Sequence, residues 1–402
     1  MHNMPPAPIP GALLLVILSV ASGCQAAVPT DPLCEWRAGN GAVRDICPEF
    51  YWQAPGQTAC QVLVATTREL LEPDRADMWD TGRLDTKLPI VEYAGEPLAN
   101  HTTYLWRVRV WEGGDDPGAW GEVQRFTTDF VPLPSLRPHM RYFINFCPGG
   151  AELVAGRYDL SFGAGPRQFR AEHIGLSYSL MATMVVPSDK YDDLAAWCVE
   201  QGLSAEGVPE EMFCHFAADT KVTLHVGAEK ASNPRETRDI PGWDPRNDRN
   251  GDGTVDDAEF ANLANPDAHA RKMGEARIPI YYWGPPRDDY VMNIGHPDYQ
   301  RFLAEVYMPS QLGEGFSGWW VDTTPTNVPG AGASAAVVEY PRGPGDEDAW
   351  MRDMQMVMAR VKIANPDAVL SANSWNATPF VLDGRESEGW LNMTVSGGGF
   401  QS

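Results

Sequence analysis

The sequence predicts two domains: an all-β sandwich, followed by an α/β barrel of the TIM type that is incomplete at its C-terminus. Three observations predict this. The chain has 402 residues, about the length of two ordinary domains. Between residues 30 and 130, short β-branched and aromatic runs recur with turn residues between them. Beyond residue 139, short apolar runs alternate with stretches of helical spacing, the pattern of a parallel sheet with crossover helices. Hydrophobic residues make up 43% and charged residues 21%, a globular balance that excludes wholesale disorder. Acidic side chains outnumber basic ones 54 to 31, a net charge of -23. Such a surface repels phosphate backbones, so nucleic acid is excluded as a partner, and neutral ligands or cations are favoured.

The chain opens with an export signal. Ala12–Ala21 (ALLLVILSVA) is an apolar run too short to span a bilayer and suited to a signal-peptide core, so residues 1–24 are assigned to the signal. Ser22-Gly23-Cys24 follows and resembles a bacterial lipoprotein cleavage site, with Cys24 as the lipidated residue and the sole route to a membrane. The leader has no Lys or Arg and has Ala21 where Leu is usual, so ordinary cleavage after a residue such as Ala26 is the alternative. Either way the protein is secreted or held at the cell envelope. For an oxidising compartment, proximity suggests pairing Cys34 with Cys47 or Cys60, and Cys198 with Cys214. No CxxC, HExxH or GxSxG spacing occurs, which disfavours a cysteine zinc site, a zincin and an α/β-hydrolase elbow.

The first domain, residues 30–130, carries strand-like runs at Glu49–Gln53, Ala59–Thr66, Leu88–Tyr93, Thr103–Trp111 and Val123–Thr127. Thr103–Trp111 alternates, with Tyr104, Trp106, Val108 and Val110 facing one way and Arg107 and Arg109 the other. The runs PEFYW, ACQVLVA, WDTG, YLWRVRVW and AWGEVQRFTT resemble the fibronectin type III-like module at the front of bacterial α-L-rhamnosidases. The resemblance implies a module that accompanies a catalytic domain and performs no chemistry. Trp52, Trp79, Trp106 and Trp111 are then core residues. A Pro-rich linker follows at residues 131–138.

The second domain, residues 139–402, has strand-like runs at Arg141–Phe146, Arg157–Phe162, Gly175–Val186, Lys221–Val226, Ile278–Trp283, Gly318–Thr323, Ala368–Asn373 and Gly389–Val395. Helical spacing marks Lys190–Gln201, Asp298–Tyr307 and Ala349–Ala364; the last carries Met351, Met354, Met358 and Val361 as a core stripe. If Lys221–Val226 and Ile278–Trp283 belong to an insertion, Gly318–Thr323 is the fourth barrel strand and Gly389–Val395 the sixth, and the barrel is open. YDL at 158–160, HPDYQRFL at 296–303, GFSGWWVD at 315–322 and NPDAVLSAN at 365–373 resemble bacterial glycoside hydrolases related to endo-α-1,4-polygalactosaminidases. That resemblance implies a catalytic Asp at the end of GWWVD.

Glycoside cleavage needs one protonated and one ionised carboxyl flanking the scissile bond. Asp322, emerging where an apolar strand stops, is the candidate for the ionised one; the bland alternative is a helix cap before Thr323. Glu388, then Glu386, is the candidate acid, against a solvated charge cluster that also includes Asp383. Asp159, Trp283, Trp319, Trp320, Asn373 and Trp375 are candidate substrate contacts, with core or surface packing as the plainer role for each.

Residues 248–259, DRNGDGTVDDAE, form the clearest motif. Asp248, Asn250, Asp252, Asp256 and Glu259 place side-chain oxygens at positions one, three, five, nine and twelve of an EF-hand-type loop, with the Thr254 carbonyl at seven and Gly253 at the sharp turn. This oxygen set is matched to Ca²⁺. Pro234, Pro241 and Pro245 preclude an entering helix, so the motif is a single loop-plus-helix, a structural clamp within an insertion at about residues 240–266. The expected function is an exported, calcium-binding glycoside hydrolase acting on a polysaccharide or oligosaccharide. The rivals are a non-catalytic carbohydrate-binding or adhesive surface protein and a calcium-dependent structural lipoprotein.

Overall fold

The computed structural model describes residues 28–130, 142–145, 160–163, 174–215, 224–225, 254–255, 277–278, 288–322, 324, 328, 337, 339–340, 342, 346–373 and 381–386. The first domain is a sandwich of nine strands: β1 (Thr30–Cys34), β2 (Ala42–Val43), β3 (Glu49–Gln53), β4 (Ala59–Ala65), β5 (Trp79–Asp80), β6 (Leu84–Asp85), β7 (Ile90–Glu92), β8 (Thr103–Trp111) and β9 (Gln124–Thr128). One sheet runs β1-β3-β7; the other runs β2-β9-β8-β4-β5, with β6 also on β4. The alternation of β8 decides its faces. Tyr104, Trp106, Val108 and Val110 are buried with Phe50, Trp52, Val62, Val64 and Phe126 between the sheets. On the outer face the Arg107 and Arg109 guanidinium groups lie 4.4 and 4.6 Å from the Trp120 ring centre, at cation–π distance. Trp52, Trp106 and Trp111 are buried, and half-buried Trp79 packs on Tyr93.

The second domain is built on a six-stranded sheet, every neighbouring pair parallel: β10 (Tyr142–Asn145), β11 (Leu160–Gly163), β12 (Ile174–Leu180), β17 (Gly318–Asp322), β18 (Val369–Asn373) and β19 (Gly384–Glu386). Spatial order follows chain order, and Gly318–Asp322 is the fourth strand of the sheet. Among the described residues the sheet has two open edges and no eight-stranded closure. The sixth strand is Gly384–Glu386, earlier than the expected Gly389–Val395, which lies outside the described residues. Its start is tied down by Asp383, whose Oδ2 accepts from Leu370 N–H at 2.8 Å and from Lys362 Nζ at 2.9 Å.

The single run expected over Gly175–Val186 is two strands. After β12 the chain turns at Met181-Ala182, both fully buried, and β13 (Thr183–Val186) leaves the sheet to pair antiparallel with β16 (Asp288–Val291). A separate ribbon joins β14 (Leu224–His225) to β15 (Thr254–Val255). Helix α1 (Asp189–Glu200) is capped by Ser188, whose hydroxyl accepts the Tyr191 N–H at 3.1 Å. Helix α2 (Pro297–Phe302) runs through a π-helical segment, Leu303–Tyr307, into α3 (Met308–Gly313). Helix α4 (Ala349–Ala364) buries Met354, Met358 and Val361, while Met351 is half-buried.

The two domains share a core. Trp36, Tyr51 and Ile90 of the sandwich pack with buried residues of the second domain, and Arg37–Asp367 and Lys87–Asp346 (2.8 Å) pair across the seam. The disulfides suggested by proximity are not formed: Cys34, Cys47, Cys60, Cys198 and Cys214 are free thiols. Cys214 donates instead to the Met292 carbonyl at 3.4 Å, and the Cys198 sulfur lies 3.9 Å from that of Met212.

Candidate active site

The site grows out of β17, sequence GWWVD. Successive side chains of a strand point to opposite faces. Trp319 and Val321 enter the helix-side core, where Trp319 is fully buried and its Nε1 donates to the Met308 carbonyl at 3.0 Å. Gly318, Trp320 and Asp322 take the other face. Trp320 is buried there against Leu176, with its ring 5.5 Å from that of Tyr178. Both tryptophans are therefore packing residues with no exposed ring for a sugar. Trp319 at 0% and Trp320 at 3% exposure present no ring face on which a sugar could stack.

Asp322 ends the strand and is half-buried. Tyr178 of β12 donates its hydroxyl to Asp322 Oδ2 at 2.8 Å, and Asn373 of β18 donates Nδ2 to Oδ1 at 3.0 Å. Thr324, also buried, donates its hydroxyl to the Asn373 carbonyl. One oxygen is thus held from each flanking strand. An ionised carboxylate is acceptor-only, and two donors from rigid strands fix its plane. Asn373 is 9% exposed and positions Asp322, a different task from the direct sugar contact expected of it.

Register extends the row. Leu180 pairs with Asp322, and Asn373 pairs with Glu386 on β19. Asp322 and Glu386 therefore occupy one row, two strands apart, with Asn373 between. Adjacent strands lie ~4.8 Å apart, which puts about 10 Å between the two backbones. This is the fourth- and sixth-strand placement expected for Asp322 and Glu386. Asp159, Trp283, Trp375 and Glu388 lie outside the described residues, as do Asp248, Asn250, Asp252, Asp256 and Glu259. Thr254 is described, within β15. Sequence reasoning missed Tyr178. The available signal was a lone phenol in the run GLSYSLMATMVV, one strand before GWWVD.

A second polar cluster centres on His215. Buried His215 has Nδ1 3.2 Å from Glu339 Oε1 and Nε2 3.3 Å from Glu210 Oε2. Burial opposes its charged form, but the hydrogen bonds to Glu339 and Glu210 outweigh it and raise its pKa. Arg277 donates Nε to Glu210 at 2.9 Å, completing an internal tie between chain segments.

Residues 29–131 match the family described as Rha78A-like, N-terminal immunoglobulin domain. The match supports the rhamnosidase-type module expected for the sandwich, which the family describes as immunoglobulin-like. Over 92 residues the chain is 33% identical to an α-L-rhamnosidase of Formosa agariphila, covering 21% of this chain and 10% of that protein. It is 40% identical over 91 residues to an α-L-rhamnosidase of Streptomyces avermitilis, covering 21% and 9%. The chain therefore matches about a tenth of the length of these curated relatives. Among solved structures, a cycloisomaltooligosaccharide glucanotransferase of Paenibacillus sp. aligns with 87% of this chain and 45% of its own, at 10% identity and a TM-score of 0.30. At that score the likeness does not define a shared fold.

Proposed function

We propose that this chain is an exported, carbohydrate-acting protein whose second domain hydrolyses a glycosidic bond in a polysaccharide. One observation carries the reading: a carboxylate at the C-terminal end of a central parallel strand, both oxygens held by donors from the two flanking strands. Catalytic groups of α/β barrels are positioned at such strand ends. The rhamnosidase-type domain in front supports a saccharide as partner. So does the resemblance of GFSGWWVD to polygalactosaminidase-related hydrolases.

In this reading Asp322 is the ionised partner and Glu386 or Glu388 the acid. With the carboxyls ~5–5.5 Å apart, Asp322 attacks the anomeric carbon while the glutamic acid protonates the departing oxygen. The glutamate then deprotonates the water that releases the sugar. At ~6.5–9.5 Å, Asp322 instead takes a proton from a water that attacks directly, with inversion. Two strand spacings between the Asp322 and Glu386 backbones leave room for either.

Calcium belongs to the same reading. Asp248, Asn250, Asp252, Asp256 and Glu259 supply hard oxygen donors, and the Thr254 carbonyl completes the set. The described part of the loop fits this: Thr254–Val255 is extended and pairs with Leu224–His225, which anchors positions seven and eight to a second segment. Calcium there would brace the segment between β13 and β16. The test is a polysaccharide screen for newly released reducing ends, with wild type and Asp322→Asn, with and without calcium. Release by wild type and none by Asp322→Asn supports the proposal; equal release by both overturns it.

A further inference from the structure

We propose that the cleft between the two domains is a second saccharide-binding site, remote from Asp322, that takes a neutral oligosaccharide. The inference rests on the carbohydrate reading above only for its choice of ligand class. The cleft encloses about 860 Å³, within the ~300–1,000 Å³ of ligand sites, which form preferentially at domain interfaces. One wall is sandwich, with Leu33 and Lys87; the other is the π segment and α4, with Glu305, Met356, Arg360 and Ile363. These helices cover the Trp319 face of the sheet, whereas Asp322 stands on the opposite face.

Two independent features mark the cleft. The first is the π segment Leu303–Tyr307. Such segments are rare and cluster at functional sites. This one puts Ala304 and Glu305 on the cleft wall, and Asn365 Nδ2 satisfies the Ala304 carbonyl at 3.1 Å. The second is the charge arrangement. Lys87 and Arg352 share one carboxylate, Asp346, at 2.8 Å and at 2.9 and 3.0 Å. Asp353 is neutralised by Arg342 at 2.6 Å. Glu305 and Arg360 line the cleft with side chains that make no ion pair or side-chain hydrogen bond among the described residues.

The ligand chemistry follows. With Asp31 in no ion pair among the described residues and Lys87 and Arg352 sharing Asp346, the charges lining the cleft and their partners balance at five acidic and five basic groups. Neither an anionic nor a cationic ligand is therefore favoured, while Glu305 and Arg360 stay available. A neutral polyhydroxyl chain uses both: its hydroxyls donate to the carboxylate and accept from the guanidinium. Its C–H faces meet Met356, Ile363 and Leu33.

The experiment is titration of the full chain by calorimetry and NMR with cellohexaose and maltoheptaose as neutral probes and a galacturonate hexamer as anionic probe. Wild type, Asp322→Asn, Glu305→Gln and Arg360→Ala are compared, with melting curves confirming that each is folded. The expected result is binding of a neutral probe by wild type and Asp322→Asn alike, weakened at least tenfold by Glu305→Gln or Arg360→Ala. A loss confined to Asp322→Asn overturns this proposal; the first is read separately, by release of reducing ends, and does not fall with it. Binding unchanged in the cleft variants, binding of the galacturonate alone, or no neutral binding to wild type also overturns it.

Discussion

Gly318→Ala should damage the fold and the candidate site through one displacement. A Cβ built on Gly318 lies 2.6 Å from Val369 N and 2.7 Å from Val369 C, with the Val369 carbonyl oxygen nearer still. Ordinary contact begins at 3.4 Å, so β17 and β18 must separate by at least 0.8 Å, the difference between 3.4 and 2.6. The obstacle is backbone and has no rotamer to adopt. The Val369 N–H bond to the Ser317 carbonyl, now 3.0 Å, would then stretch to about 3.8 Å and be lost. Losing one such bond costs about 1 kcal/mol and overpacking ~1–3 kcal/mol, so the second domain should lose about 2–4 kcal/mol. The same shift carries Asn373 away from Asp322, so activity should fall beyond what unfolding explains. Urea unfolding followed by Trp fluorescence, with hydrogen exchange at Val369, measures the first effect. A variant within 0.5 kcal/mol of wild type, with Val369 still protected, would refute the steric argument.

Three further outcomes are expected. Calcium should raise the melting temperature of wild type, by about 2.7 kcal/mol of linkage at a hundred times Kd, and Asp248→Ala with Glu259→Ala should erase the rise; a calcium-independent wild type contradicts an occupied loop. The buried Glu49 carboxyl is pushed up to about 10 by burial, then by its hydrogen bond to and repulsion from Glu35. The native state thus keeps a proton the unfolded chain releases, and stability should fall as pH rises from about 4.5 toward about 10. Glu49→Gln should flatten that slope in denaturation midpoints, and an unchanged slope assigns it elsewhere. A reporter fused to residues 1–30 should be exported and take up labelled fatty acid at Cys24; export without label leaves a plain signal peptide.

The legible parts of the fold were those with long periodicity. Thr103–Trp111 showed its two faces outright, and Ala349–Ala364 showed its buried stripe, because nine and sixteen residues give the pattern room to repeat. Ala42–Val43, Trp79–Asp80 and Leu84–Asp85 have two residues each and no period, so they were unreadable. The turn at Met181-Ala182 was hidden within an unbroken apolar run, since buried strands and buried turns share a composition. Asp322 was legible as a polar residue closing an apolar strand. Its partners were not, because the bonds to Tyr178 and Asn373 span 144 and 51 residues and exist only through strand register. Trp319 and Trp320 invited a stacking role that only their burial removes. Cysteine spacing suggested pairs, but the folded chain sets Cys198 against the Met212 sulfur and Cys214 against the Met292 carbonyl, 14 and 78 residues away.

The most direct test of the central claim is turnover by Asp322→Asn on a polysaccharide that the wild-type protein is shown to cleave. Asparagine keeps the shape and removes the charge that supports an oxocarbenium-like transition state. The account predicts at least a hundredfold loss of reducing-end release with substrate binding retained and the melting temperature unchanged. Release by Asp322→Asn close to wild type would remove Asp322 from the chemistry and the strand-end row from the site.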